Sequence, residues 1–235
     1  MSDVLKLKDY DTRRILELAF AAHRINNGYV KETRRYSEGQ STVWSNKEIV
    51  SFSAAYYDGG SQSSWVPTDF IPIKVTDADH AALAAADKHM RRYTMLVLGN
   101  LSDFQNNIFT AYAGDRVTSG QLGFIAYLPQ FVERELEEKM YKSRLSTEFS
   151  NSSAIKEKKI IGELEILKRI YSPNYETFFY TAGFNRNLVM FSNKFQYKVG
   201  EVFGFKANIK NQYTDRDSGL TVNKLNYVKL VKMEN

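Results

Sequence analysis

Three groups of side chains in this sequence have types and spacings that could do chemistry. The first is acidic and imidazole: Asp77, Asp79 and His80 stand together, with Asp87 and His89 downstream, and metal-dependent nucleases use such donors. The second is cationic and aromatic, and lies in the last third of the chain: Lys168, Arg169, Tyr171, Tyr175, Arg186, Lys206, Lys210, Tyr213, Lys224, Tyr227 and Lys229. Holding single strands without reading their sequence needs cations that follow the phosphates and rings on which bases stack, each stack contributing roughly 1–3 kcal/mol. The third is a basic knot, Lys31, Arg34 and Arg35, beside Tyr29 and Tyr36, with the composition of a contact loop.

The acidic group has a simpler explanation than catalysis. Asp77 and Asp79 follow Thr76 at the start of an Ala-rich periodic stretch, where a helix N-terminus favours negative charge. His23, next to Arg24 at a helix end, complements a dipole in the same way. No phosphate-cradling GxxxxGK[ST], GxGxxG, HExxH or GxSxG occurs, and there is no cysteine, so the usual signals of nucleotide, dinucleotide, zinc and esterase chemistry are missing. The expectation is a binding protein, not an enzyme, with neither metal nor cofactor.

Charge distribution favours the cationic group. From Asn151 onward 14 Lys and Arg stand against 8 Asp and Glu, a balance of +6, while the first 150 residues hold 18 against 19. The whole basic excess therefore sits in the last third, which points to a polyanionic partner, with DNA or RNA the commonest candidate. No stretch approaches the roughly 18 apolar residues of a membrane helix. The N-terminus, MSDVLKLKDYD, mixes charges where a signal peptide carries an apolar run. A cytoplasmic location, in the host cytoplasm if the protein is viral, is expected.

The elements that must position these residues can be read from periodicity. Asp9 to Asn26 is expected to be an amphipathic helix carrying Ile15, Leu16, Leu18, Ala19, Ala22 and Ile25 on its apolar face. Further helices are expected from Ser45 or Asn46 to Asp58, from Thr76 to Leu98, and over Ser102 to Tyr112. After Pro129 comes the charged helix FVERELEEKMYKSRL. The polar run Ser146 to Lys159 has linker composition. The division expected is a mostly helical domain over residues 1–145, a linker over 146–158, and a barrel over 159–235.

Beyond the linker, helical periodicity gives way to period two. Five strand-like runs, Lys159 to Tyr171, Tyr175 to Phe184, Asn187 to Ser192, Glu201 to Asn211 and Leu220 to Lys232, are separated by turn-formers. The fold class expected is α+β: helices followed by a five-stranded antiparallel oligonucleotide-binding (OB)-like β-barrel. Alternation puts Ile160, Leu164, Ile166 and Ile170 of the first strand inside and Glu163, Glu165, Leu167, Arg169 and Tyr171 outside. In the fourth, Phe203, Phe205, Ala207 and Ile209 point inward, which leaves Gly204, Lys206, Asn208 and Lys210 as an outer row of cations beside a glycine.

The segment Val199 to Val231 resembles the closing strands of small barrels in bacteriophage replication and DNA-binding proteins. The residues that carry the likeness are Gly200, Glu201, Phe205, Lys206, Ala207, Ile209, Lys210, Thr221, Leu225, Asn226, Tyr227, Val228 and Lys229. The resemblance implies phage origin and single-stranded DNA handling, transfers no catalytic residue, and leaves the first 145 residues outside it. Together these features lead to a single-stranded DNA-binding protein or a phage replication or recombination accessory. The other class is a non-enzymatic adaptor that recruits or inhibits a host or replisome protein, supported by Trp44 and Trp65 in loop contexts, since aromatics concentrate at interfaces. The ending, LVKMEN, is not the acidic tail by which single-strand-binding proteins recruit partners, and counts against a hub role.

Overall fold

The computed structural model describes residues 9–35, 42–59, 66–96 and 101–232. Tyr36, Trp65, the Gly59–Gly60 turn beyond Gly59, and the helix end at Leu98 lie outside that set. The chain divides into two compact units, Met1–Arg134 and Glu135–Asn235.

The first unit is built round α1 (Thr12–Ile25). Asp11 caps it, accepting from the Arg14 amide at 2.9 Å. Ile15, Leu18, Ala19, Ala21 and Ala22 are almost wholly buried, so the helix is apolar round most of its circumference, as a central helix must be. Packed with it in one core are α2 (Asn46–Gly59), α3 (Asp77–Leu96), α4 (Asp103–Ala113) and the first turns of α5 (Leu122–Thr147). Ser102 and Gln105 form a reciprocal capping box at the start of α4. Two short strands, β1 (Tyr10–Asp11) and β2 (Arg116–Val117), pair antiparallel.

Pro129 does not start a new helix. It lies inside the 26-residue α5, whose Ile125, Ala126, Leu128, Phe131 and Val132 are buried in the first core. That burial holds the helix together across a residue that costs it a backbone hydrogen bond.

The second unit contains the barrel. Its strands are β3 (Lys159–Ser172), β4 (Thr177–Phe184), β5 (Asn187–Asn193), β6 (Val202–Thr214) and β7 (Thr221–Lys232), closed in the order β3-β4-β5-β7-β6. This arrangement is compatible with an OB-like fold. It is mixed, not purely antiparallel as the sequence led us to expect: β5 and β7 pair parallel through Leu188/Val222, Val189/Asn223 and Met190/Lys224. Five strands in a ring cannot alternate direction all the way round. One parallel pair is unavoidable, and here it closes the barrel.

Tyr180, Ala182, Val189, Phe191, Phe203, Phe205, Ala207 and Leu225 form the barrel core. At one end Tyr180 donates its hydroxyl to the Phe195 carbonyl (2.7 Å) and accepts from the Tyr197 amide (3.0 Å). Tyr197, edge-on to Phe203 at 4.7 Å, packs against this core beside it. The polar run after α5 packs closely: Phe149 and Ser152 are buried, and Ser152 donates to the Thr221 carbonyl and accepts from the Leu188 amide.

Candidate nucleic-acid interface

A β-bulge sets the geometry of the outer β6–β7 surface. Lys206 pairs with Lys229 and Asn208 with Asn226, so Ala207 alone on β6 faces both Tyr227 and Val228 on β7. Tyr227 takes the extra position with φ +53°, the left-handed region that glycine usually fills in such bulges. Its side chain is 80% exposed. A second irregularity, between the Ile209/Leu225 and Asn211/Lys224 pairs, makes Lys210 the extra residue and restores the register.

The bulge thus places an exposed tyrosine beside two lysines that stand directly opposite each other. Lys206 and Lys229 are both exposed, and neither makes an ion pair among the described residues. Like charges facing each other across a strand pair are destabilising. Lys206 also faces Ile161 on β3, which is 66% exposed, and Lys159 faces Asn208. Lys210 is exposed and Lys224 half-buried on the same hairpin. Glu163, opposite Gly204, is an acidic residue of this surface.

The other residues expected to bind nucleic acid are not part of this group. Lys168 donates to Glu138 at 2.6 Å and lies 4.9 Å over the Tyr141 ring. Arg169 donates to the Tyr197 carbonyl at 3.2 Å. Tyr213 donates to the Met190 sulfur at 3.2 Å, and burial, with the Asp215 carboxylate behind it, pushes its phenol above the usual value. Tyr171 and Tyr175 are exposed where β3 turns into β4, 4.9 Å from Phe178 and 6.3 Å from Phe179 respectively. Arg186 is exposed in the β4–β5 turn, where Asn185 and Arg186 both have positive φ.

The outer side of β4 and β5 is largely taken by α5. Leu145 and Phe149 bury against Leu167, Leu188 and Val222, with Tyr141 and Met190 beside them. Arg144 holds Glu165 with two hydrogen bonds, at 2.6 and 2.9 Å, and grips Glu148 as well. Those carboxylates push its guanidinium further up. Leu167 points outward, as alternation says, yet it is buried beneath this helix. The bulge between Ile166 and Lys168 then reverses the alternation, so Ile170, expected inside, is 56% exposed.

Two clefts share Asn185 and Asn187, and the smaller borders the exposed face. One of about 520 Å³ is lined by Lys156, Lys159, Ile161, Phe184 and Asn187. The other, of about 740 Å³, is lined by Phe149, Ser150, Ser153, Arg186 and Asn187. Ile161 and Lys159, which sequence reading left out of the site, join the face to the smaller cleft. Their signal was present: they flank the buried Ile160 in a strand of period two.

The acidic group resolves into helix capping and packing. Asp79 Oδ2 accepts from the Thr76 amide and hydroxyl at 2.8 Å, and Arg24 reaches both carboxylate oxygens at 2.8 and 3.0 Å. Burial pushes this carboxyl up, but those donors outweigh it and hold it below the usual range. Asp87 accepts from Arg13 and Tyr112. Among the described residues no group of three such side chains is placed to hold a metal ion, and no helix is long and apolar enough to cross a membrane. Trp44 packs edge-on to Phe52 and Phe70 at the margin of the first core; Trp65 lies outside the described residues. Compared with protein families, curated proteins and solved structures, the chain matches none of them.

Proposed function

We propose that this chain is a single-stranded DNA-binding protein, a replication or recombination accessory that does no chemistry on its ligand. The observation that supports this most is the Lys206–Lys229 pair with Tyr227 beside it. Two lysines facing each other without a counter-charge raise the energy of the free protein, and a phosphate placed between them removes that cost. Tyr227 offers an open ring next to the same phosphate position, the combination that sequence-independent single-strand binding requires. The barrel is read as an OB-like oligonucleotide binder, and a phage replication setting is part of the proposal.

The test is fluorescence anisotropy of a labelled oligo-dT across a salt series. Binding at 50 mM salt that weakens steadily as salt rises is expected, because phosphate contacts release counterions. No binding at 50 mM, or binding indifferent to salt, removes this reading.

One observation favours the second class, an adaptor. Tyr175 and Phe195 are each 72% exposed, beside Tyr171 at the end of the barrel where the β3–β4 and β5–β6 connections lie. Large exposed aromatics of this kind anchor protein interfaces. Purification of a stable protein complex after nuclease treatment, lost in a Tyr175→Ala, Phe195→Ala variant, would favour it.

A further inference from the structure

We infer that a single strand crosses this barrel over β7, β6 and β3 and runs into the clefts at the Arg186 turn, leaving the outer side of β4 and β5 unused. The inference rests on the single-strand-binding reading above and says where that ligand lies.

Five-stranded barrels of this topology commonly receive oligonucleotides on the face of their second and third strands and on the adjoining loops. In this chain those strands are β4 and β5, and α5 already occupies their outer side. Phe149 fills the space left by Gly183, Leu145 buries with it against Leu188, and Lys168, the cation on that side, is held by Glu138. A strand placed there would have to displace a buried cluster and an ion pair.

The β7–β6–β3 face offers a continuous route instead. Lys229, Lys206 and Ile161 stand side by side on three adjacent strands. Ile161 and Lys159 line the 520 Å³ cleft. Asn185 and Asn187 line both that cleft and the 740 Å³ cleft, whose wall carries Arg186. Tyr227 supplies an open ring at one end and Ile161 an apolar contact for a base edge between the cations. Glu157, at the smaller cleft, and Glu163 are the acidic residues beside the route; Glu148, at the larger one, is already engaged by Arg144. The cations along it, Lys229, Lys206, Lys159, Lys156 and Arg186, outnumber them.

The experiment compares oligo-dT affinity of the full chain and three variants whose folding is checked by circular dichroism: Lys206→Glu with Lys229→Glu, Arg186→Glu, and Tyr175→Ala with Phe179→Ala. The first should weaken binding by roughly tenfold or more and the second by several-fold, as expected when phosphate contacts become repulsions, while the third leaves it within about twofold. Ultraviolet cross-linking of a 5-iodouracil oligonucleotide gives an independent reading, with the adduct expected on Tyr227 and not on Tyr175. If the unaltered chain binds but the Tyr175 and Phe179 variant carries the loss, or the adduct falls on Tyr175, the route is overturned while the single-strand reading stands. Equal losses from both pairs overturn it too. If the unaltered chain does not bind at 50 mM salt, both fall together.

Discussion

Phe149 occupies the space that Gly183 leaves on β4: a β-carbon on Gly183 would meet the Phe149 Cε1 at 2.9 Å and its Cζ more closely still. The absence of one methyl group thereby leaves room for the residue just beyond α5 (Leu122–Thr147) to pack against β4. Gly183→Ala should lower stability by about 1–3 kcal/mol, the usual cost of overpacking. A denaturant titration measures it as a reduced midpoint. Phe149→Leu in the same chain should recover part of the loss, because neighbouring substitutions are not additive. Additive losses would mean that the two residues do not share the space.

The same contact shows what was legible in the sequence. Strand periodicity fixed all five barrel strands to within a few residues, and in β6 the inward set Phe203, Phe205, Ala207 and the outward Lys206 and Lys210 stand as alternation places them. Alternation assigns faces but does not say what covers them, so Leu167 reads as an outer residue and is in fact buried. Bulges are the other blind spot, since one extra residue reverses every face beyond it; Ile170 is exposed for that reason. The run after α5 reads as linker because it is polar. Its buried Ser152 and the neighbouring backbone instead serve β5 and β7: Asn223 donates to the Ser153 and Leu188 carbonyls and accepts from the Ile155 amide. Such partners lie 35 to 70 residues away in sequence, beyond any local pattern.

Acid should destabilise the first unit in two separate windows. Burial holds the His23 imidazole below its usual value, against the partial opposition of Glu133 and Gln130. The unfolded chain therefore takes up that proton first, and stability falls as pH drops below about 6.5. Asp79 is held below the ordinary carboxylate range despite its burial. Its contribution is complete above about 3.9 and disappears as pH falls through the lower folded value. Urea midpoints measured from pH 8 to pH 3 should show both declines, and His23→Gln should remove the upper one alone. A His23→Gln profile identical to that of the parent would contradict the burial assignment.

Lys206 and Lys229 should reveal themselves in the salt dependence of binding as well as in affinity. For single strands the slope of log K against log salt is about −0.7 per phosphate neutralised. Replacing both lysines by Gln should make the slope shallower by about 1.4 if each meets one phosphate. Loss of affinity with an unchanged slope would assign the lysines a role other than phosphate contact. Stability should hold or rise in the same variant, since two facing charges are removed.

Tyr227 offers the sharpest separation of stability from function. A bulky residue at φ +53° is strained, and a side chain this exposed recovers little by packing. Tyr227→Gly should therefore raise stability by about 1 kcal/mol, because glycine adopts that conformation without steric cost. The same change removes the ring, and with it the proposed stack of roughly 1–3 kcal/mol, so on that proposal oligo-dT affinity should fall about 5- to 150-fold. Denaturant titration and anisotropy on one preparation measure both. A strained residue retained for binding gives opposite signs in the two measurements, whereas a tyrosine needed only by the barrel gives a loss in stability and leaves affinity unchanged once folding is allowed for.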